Sequence, residues 1–134
     1  MAVFVACDEV QPVRRVREQL RGVRVDDRIK DYVVALVHAT REPVSVPGLG
    51  AEAARLIEFG ASPRAGISLV LAARADPFPR GRGYVLPSDV KAVAMDVLRH
   101  RVLPSYEAQA EDLTAEDLVG NIVVNVAVPW PRWR

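Results

Sequence analysis

The chain has 134 residues, half of them hydrophobic, and its 18 basic and 17 acidic side chains leave a formal net charge of +1. This composition predicts one domain with a hydrophobic core, and the balanced charge argues against binding to nucleic acid or anionic membranes through bulk charge. Cys7 is the only cysteine, so we expect no intrachain disulfide. No apolar run approaches the ~18 residues of a membrane span, and residues 1–6 are too short for a signal peptide. We therefore expect a cytoplasmic protein.

Two helices are predicted in the first third of the chain. The first runs over residues 8–20 and is capped by the aspartate that opens it. Residues 23–25 form an extended link, and Asp26 or Asp27 then caps a second helix that reaches Thr40. Apolar residues recur at helical spacing along this second helix, namely Ile29, Tyr32, Val33, Leu36 and Val37.

The middle of the chain is predicted to alternate loops and short helices. Prolines and glycines make residues 41–50 a loop, a short helix covers residues 51–59, and Gly60 follows as its capping glycine. Ser62 and Pro63 suit the start of the next helix, because a serine hydroxyl can accept a hydrogen bond from the first turn and proline needs no donor there. One face of that helix is largely apolar, and it consists of Ile67, Val70, Leu71 and Arg74.

The second half begins with a break over residues 76–83, where prolines and glycines cluster. Residues 84–86 have the composition of a short strand, which we expect to pair with residues 102–103 as a small ribbon. Ser88 caps the next helix, and a capping box opens a last helix over residues 114–125. The sequence therefore predicts a mainly α-helical bundle of five or six helices with a small two-stranded β ribbon.

Arg64 is the unusual residue of this pattern. It places a cation in the first turn of a helix, where the backbone already presents about half a positive charge. Such a placement is unfavourable unless an anion such as phosphate uses both the guanidinium and the free N–H groups. A solvated surface arginine, or one paired with a carboxylate, is the alternative interpretation.

Other catalytic and metal-binding patterns are absent from the sequence. The glycine-containing stretches 48–50 and 81–83 lack the lysine of a phosphate-binding loop, and no apolar strand ends in paired acids that could hold Mg²⁺. The chain is therefore not expected to hydrolyse ATP by itself. His38 and His100 have no second metal ligand at helical spacing, and no serine has an evident histidine partner, so we expect neither a metal site nor nucleophilic catalysis.

Residues 60–65, with the sequence Gly-Ala-Ser-Pro-Arg-Ala, resemble the sensor-2 motif that opens the third lid helix of MoxR-type AAA+ ATPases. The similarity extends to residues 31–41, to residues 82–92 and to residues 97–101. These motifs follow the family's order and together cover residues 25–128. The resemblance implies an all-α AAA+ lid domain.

The same resemblance implies a place within a larger ATPase. In this family an α/β core precedes the lid and supplies the phosphate loop and the Mg²⁺ ligands. Residues 1–22 would then be a linker and helix from the end of the core, residues 23–128 the lid, and residues 129–134 a C-terminal tail. ATP would bind between core and lid with Arg64 at the γ-phosphate, and no nucleotide is expected on the isolated chain.

The resemblance also assigns residues around Arg64 to nucleotide binding. Ser62 and Pro63 belong to the same motif as Arg64. Tyr32 lies on the first lid helix, which lines the adenine pocket in AAA+ proteins, but a core aromatic is an equal alternative for this residue.

Partner contacts are implied as well. Arg41 follows a helix end and could contact a neighbouring subunit or cap carbonyl groups, of which we favour capping. Arg99, His100 and Arg101 could face the ATPase core or the next protomer, or compensate the dipole of their helix. The resemblance implies a hexameric ring that remodels client proteins, including metal-cofactor insertion or maturation of partner complexes, whereas the isolated chain is expected to be a monomer.

A non-enzymatic interaction module is the second hypothesis. The helix that starts at Ser88 and the basic residues 99–101 could imitate a recognition helix with a phosphate clamp. Asp89 and Asp96 on its polar face argue against reading of bases, so nucleic acid is a disfavoured partner.

Overall fold

The computed structural model describes residues 10–77, 79 and 81–128. In chain order the elements are α1 (Val10–Arg21), α2 (Asp27–Arg41), a 3-10 turn (Pro43–Ser45), α3 (Gly50–Leu56), β1 (Ile57–Phe59), α4 (Pro63–Ala73), α5 (Pro87–Leu98), β2 (Leu103–Pro104), α6 (Tyr106–Ala110) and α7 (Ala115–Asn125). The mainly α-helical fold is confirmed, and the short α6 is the helix that the sequence pattern did not predict. The expectations for residues 1–8 and 129–134 concern positions outside the described residues.

α2 is the central element of the bundle. Asp26 begins it as predicted, with an extended backbone and a carboxylate that accepts a hydrogen bond from the Arg28 N–H at 2.9 Å. The 3-10 turn, α4, α5 and α7 all pack against this helix, and burial of its apolar face is the main contribution that it makes to stability. The buried residues of α2 are Ile29, Tyr32, Val33, Leu36, Val37, Ala39 and Thr40.

Small residues bring α4 close to its neighbours. The helix packs against both α2 and α5, and alanines at these contacts let the helices approach closely while leucines fill the remaining space. The buried apolar positions are Ala65, Leu69 and Ala73 on α4, and Val90, Ala94 and Leu98 on α5.

The β ribbon forms, but with a different partner from the one predicted. β1 pairs with β2 in antiparallel register, with Phe59 opposite Leu103. Residues 84–86 instead approach the link between α1 and α2, where Tyr84 and Arg24 form an isolated parallel bridge. β1 lies in a segment that the sequence pattern predicted as helix, so the packing of the helices, and not local composition, decides which segments extend and meet here.

The helix predicted over residues 51–59 is shorter than expected. α3 ends at Leu56, because the next three residues pair in β1. Gly60 is therefore not a helix-capping glycine, and it does not adopt a positive φ. Glycine is needed here because the backbone of Gly60 lies against that of Thr40, and a Cβ at this position would lie only 2.6 Å from the carbonyl carbon of Thr40.

This approach fixes the start of α4 against the end of α2. Thr40 is fully buried, and its hydroxyl donates to the Val37 carbonyl at 2.6 Å and accepts from the Ala61 N–H at 2.9 Å. Because a buried hydroxyl with both contacts satisfied strongly favours one geometry, the chain enters α4 at a defined position.

The starts of α5 and α7 show one wrong prediction and one confirmed prediction. Ser88 is exposed and does not cap α5, which has Leu86 in the N-cap position. The capping contact comes from Asp89, whose carboxylate accepts from the Leu86 N–H at 2.6 Å. At α7 the predicted capping box is present: the Asp117 N–H donates to the Thr114 hydroxyl at 3.3 Å, and the Thr114 N–H donates to the Asp117 carboxylate at 2.9 Å.

Candidate functional site

The start of α4 keeps the two residues predicted there but lacks the predicted cap. Ser62 occupies the N-cap position with an extended backbone, and Pro63 is the first helical residue. The Ser62 hydroxyl accepts no hydrogen bond from the first turn, and that turn contains no acidic residue. The positive end of the helix dipole is thus left without a side-chain acceptor.

Arg64 lies in this first turn with an exposed side chain. Its guanidinium forms no hydrogen bond or ion pair with any residue that the structure describes, so pairing with a carboxylate of the chain has no support there. A cation beside the positive end of a helix, with neither charge neutralised, favours an anion from outside. Phosphate suits such a site because a guanidinium can donate two parallel hydrogen bonds to it.

An apolar groove lies between α4 and α2 and begins at Pro63. Ile67 and Leu71 are 64% and 57% exposed, so the apolar face seen in the sequence points to solvent, while the opposite face of α4 packs on the core. Exposed apolar surface that is gathered into a groove typically marks a contact surface. The groove has a volume of about 410 Å³, and its lining residues are Lys30, Val33, Val34, Pro63, Gly66, Ile67, Val70, Leu71 and Arg74.

Basic side chains surround this groove. Arg41 lines an adjoining hollow of about 200 Å³ that shares Pro63 with it, and Lys30 and Arg74 line the groove itself. Lys30 lies 3.7 Å from Asp27, while the buried Nε of Arg74 has no acceptor among the described residues. The groove therefore combines an apolar floor with a largely positive rim.

The predicted capping role of Arg41 is wrong. The Glu42 N–H makes the closing bond of α2, to the His38 carbonyl at 2.8 Å. The Arg41 guanidinium bonds to no carbonyl of the described chain, whereas His38 faces Glu42 with Nε2 at 3.4 Å from its carboxylate. Arg41 is thus a solvent-facing cation near the start of α4, and its contact with a neighbouring subunit stays a prediction.

Tyr32 belongs to the core. Its side chain has no exposed surface, and its hydroxyl has no partner among the described residues. Burial raises the pKa of the Tyr32 hydroxyl to about 12. The structure supports the core interpretation of this residue, and an adenine contact would require the bundle to open.

Comparison with known proteins identifies the domain. A family model described as AAA lid domain matches residues 50–122. The chain belongs to this family. Two relatives of the lid are Chaperone MoxR1 from Mycobacterium tuberculosis, which is 39% identical over 86% of this chain and 30% of that protein, and Protein MoxR from Paracoccus denitrificans, which is 42% identical over 81% of this chain and 33% of that protein.

A solved structure has the same fold. The crystal structure of a candidate ATPase from Cytophaga hutchinsonii matches the lid with a TM-score of 0.80 and 39% identity, over 87% of this chain and 34% of that one. The lid therefore spans about one third of the length of the proteins that it matches.

The basic cluster at the end of α5 makes contacts within the lid. Arg99 pairs with Asp96 on its own helix and lies 3.8 Å from the Glu116 carboxylate on α7, so it links two helices. His100 is exposed. These contacts give Arg99 a structural role, and a contact between the cluster and another subunit stays a prediction.

Arg101 approaches the same side of α4 as Arg64, which sequence spacing did not reveal. Its Nη2 donates to the Ser68 hydroxyl at 3.2 Å, and Ser68 lies one helical turn after Arg64, on the same face. Because this contact joins residues far apart in the chain, no local pattern could have found it.

Metal and membrane sites have no support in the part of the lid that the structure describes. Residues 10–77, 79 and 81–128 contain no group of three or more histidine, cysteine, aspartate or glutamate side chains that could hold a metal ion. No helix among them has the length and apolar character to cross a bilayer. The start of α4 and its groove are the features that suit ligand and partner binding.

Proposed function

We propose that this lid works in a MoxR-type AAA+ ATPase, where Arg64 is the sensor-2 arginine and binds the γ-phosphate of ATP. The observation that carries the proposal is an exposed Arg64, without a partner among the described residues, at a helix start that no side chain caps. When bound, ATP supplies the terminal phosphoryl group, and the ATPase core holds its Mg²⁺. The residues of the lid at this position, Ser62 and Arg64, have free hydrogen-bonding groups that suit a phosphate.

Arg64 can couple the nucleotide state to the orientation of the lid. A guanidinium that binds a γ-phosphate has this partner with ATP and lacks it with ADP, so its contribution to the closed arrangement differs between the two states. Only such a differential contact can shift a conformational equilibrium. Because Thr40 fixes the start of α4 against α2, a force on Arg64 acts on the bundle and not on one helix.

The groove suits the docking surface for the ATPase core. Its apolar floor would lose water on contact, and its basic rim favours an acidic partner surface. In this arrangement the whole protein is a cytoplasmic hexamer that remodels client proteins, in line with the name chaperone carried by one relative. Asp89 is buried and so does not lie on the polar face of α5 as the sequence predicted. The recognition-helix alternative still loses support, because Arg99, which would clamp a phosphate, is paired with Asp96 and Glu116 within the lid.

The test is Arg64→Ala in the ATPase that carries this lid. We expect ATP turnover to fall at least about tenfold, because loss of one donor to developing phosphate charge typically has an effect of this size or larger. Lys91→Ala removes an exposed cation on α5 and serves as the matched control with unchanged turnover. Wild-type turnover together with an unchanged difference between the ATP and ADP conformations would contradict the proposal.

A further inference from the structure

The backbone holds Arg101 in place on both sides. The Arg101 N–H donates to the Leu98 carbonyl at 2.9 Å, and the Val102 N–H donates to the same carbonyl at 3.1 Å. Leu98 and Val102 are both buried, and β2, which follows them, pairs with β1. Because β1 immediately precedes α4 in the chain, the β ribbon ties the position of Arg101 to that of the helix start that carries Arg64.

The Arg101 side chain reaches from the end of α5 to α4. Its Nη2 donates to the Ser68 Oγ at 3.2 Å, and Ser68 lies one turn after Arg64 on the same face of α4. Residues four apart on a helix have Cβ atoms about 5–6 Å apart, a distance that an arginine side chain spans. Two guanidiniums from separate segments of the chain thus share one face of α4.

The positive charge on this face has no acidic partner in the part of the lid that the structure describes. α4 itself contains no acidic residue, and neither Arg64 nor Arg101 forms an ion pair with a described residue. Arg99 differs, because it pairs with Asp96 and lies 3.8 Å from the Glu116 carboxylate. Two neighbouring cations repel each other, so their placement on one face becomes favourable when an anion binds to both.

We propose that Arg101 is a second phosphate-binding arginine, which contacts the terminal phosphoryl group of ATP together with Arg64 and is positioned by Ser68. A guanidinium has five N–H donors, and the bond to Ser68 uses one of them, so the others can bind phosphate oxygens. Hydrolysis then removes the partner of two cations and not of one, which enlarges the difference between the ATP and ADP states. This inference rests on the proposed role of Arg64 and adds a residue from outside its motif.

The first test is the binding of inorganic phosphate to the 134-residue chain. The NMR signals of the Nε–Hε groups of Arg64 and Arg101 should shift along one titration curve, while that of Arg99 should not follow it. Arg101→Ala should weaken the binding seen at Arg64 about fivefold, because a charged donor is lost. Lys91→Ala removes an exposed cation of α5 and should leave the binding unchanged. Shifts at Arg64 alone, or at neither arginine, would overturn the pair.

The second test is a double-mutant cycle in the ATPase that carries this lid. Arginines that bind one phosphoryl group act as a unit, so their effects should not add. Arg101→Ala should lower ATP turnover about tenfold in the wild-type background but less than about threefold in the Arg64→Ala background. Arg101→Lys should not restore turnover, because an ammonium lacks the planar fork of a guanidinium, whereas a role in folding through charge alone would be restored.

The cycle separates this inference from the proposed function. Additive losses, restoration by lysine, or wild-type turnover in Arg101→Ala would contradict a shared phosphate, even where Arg64→Ala still lowers turnover and so supports the proposed function. Wild-type turnover in Arg64→Ala would remove both.

Discussion

Two helices of the lid begin alike and differ in their electrostatics. α4 and α5 each have proline at the first position, Pro63 and Pro87, and each carries a charged side chain in the first turn, Arg64 and Asp89. Arg64 is exposed and has no described partner. Asp89 is 0% exposed and accepts hydrogen bonds from Arg82 and from a backbone N–H.

The sign of the charge accounts for this difference. A carboxylate at a helix start is stabilised by the free N–H groups and can be buried when enough donors surround it. A guanidinium at the same place is repelled by those groups and keeps its donors for another anion. One helix start therefore contributes to folding, and the other is available for binding.

The largest expected difference between the two helix starts appears when the charged side chains of Asp89 and Arg64 are removed in turn. Asp89→Ala leaves the partly buried Arg82 and a backbone N–H without their acceptor, and we expect the free energy of unfolding to fall by about 3 kcal/mol. Arg64→Ala removes an exposed side chain with no described contact, so the change should stay within about 0.5 kcal/mol. Urea unfolding of the 134-residue chain measures both, and equal losses would show that Arg64 has an internal partner.

Gly60→Ala tests what positions the start of α4. The new Cβ would lie 2.6 Å from the Thr40 carbonyl carbon and 2.8 Å from the Arg41 Cα, and backbone atoms cannot yield as a flexible side chain can. We expect a loss of about 2 kcal/mol, as for other overpacked sites. The matched variant is Gly66→Ala inside α4, where the nearest atom lies at 3.7 Å and alanine should instead gain about 0.5 kcal/mol of helix stability.

The pH dependence of stability sharpens the comparison further, because of the two residues Arg64 and Asp89 only the aspartate titrates in the acid range. Burial alone would raise the pKa of Asp89, but hydrogen bonds from the Arg82 side chain, with the Asp76 side chain and from the Leu86 N–H outweigh it and hold the pKa below its ordinary value. An aspartate in the unfolded chain has a pKa of about 3.9, so the unfolded state binds the proton first as the pH falls. The stabilisation is therefore present above that pKa and is lost as the pH falls through the lower pKa of folded Asp89.

Unfolding curves between neutral pH and pH 2 would measure this loss, with Asp89→Asn as the control. On acidification the variant should lose less stability than the wild-type chain, but it should still lose some. Hydrogen bonds to the backbone lower the pKa of Asp26 and of Asp117 as well, and both carboxylates remain in the variant. Parallel curves would show that Asp89 does not contribute to the pH dependence.

Local patterns predicted the helices of the lid well, because each helix signal is contained within a few consecutive residues. The α2 stripe, the proline at the start of α4 and the Thr114 capping box follow from spacing and capping chemistry alone. The partner of β1 and the contact of Arg82 with Asp89 could not be predicted in this way. The first depends on how the helices pack, which brings together residues far apart in the chain. The second joins residues only seven apart, but it depends on how residues 82–86 turn back on the start of α5, which no periodic pattern reveals.

In the candidate site too, local sequence patterns predicted some features, and others depended on packing. The position of Arg64 in a first helical turn could be read from Ser62 and Pro63, but the lack of an acidic partner among the residues that the structure describes could not. The direction of the apolar face of α4 was also hidden, because this helix has apolar residues on two faces. Ala65 and Leu69 meet the core, while Ile67 is exposed, and only the packing with α5 separates the two sets.

The smallest expected effect compares two N-cap residues that look alike in the sequence. The Thr114 hydroxyl accepts from the Asp117 N–H, so Thr114→Ala should lower the free energy of unfolding by about 1 kcal/mol. Ser62→Ala should change it by less than about 0.3 kcal/mol, since the Ser62 hydroxyl makes no cap bond. A loss at Ser62 as large as that at Thr114 would mean that the Ser62 hydroxyl caps the first turn of α4 in solution, and it would no longer be free to bind a phosphate beside Arg64.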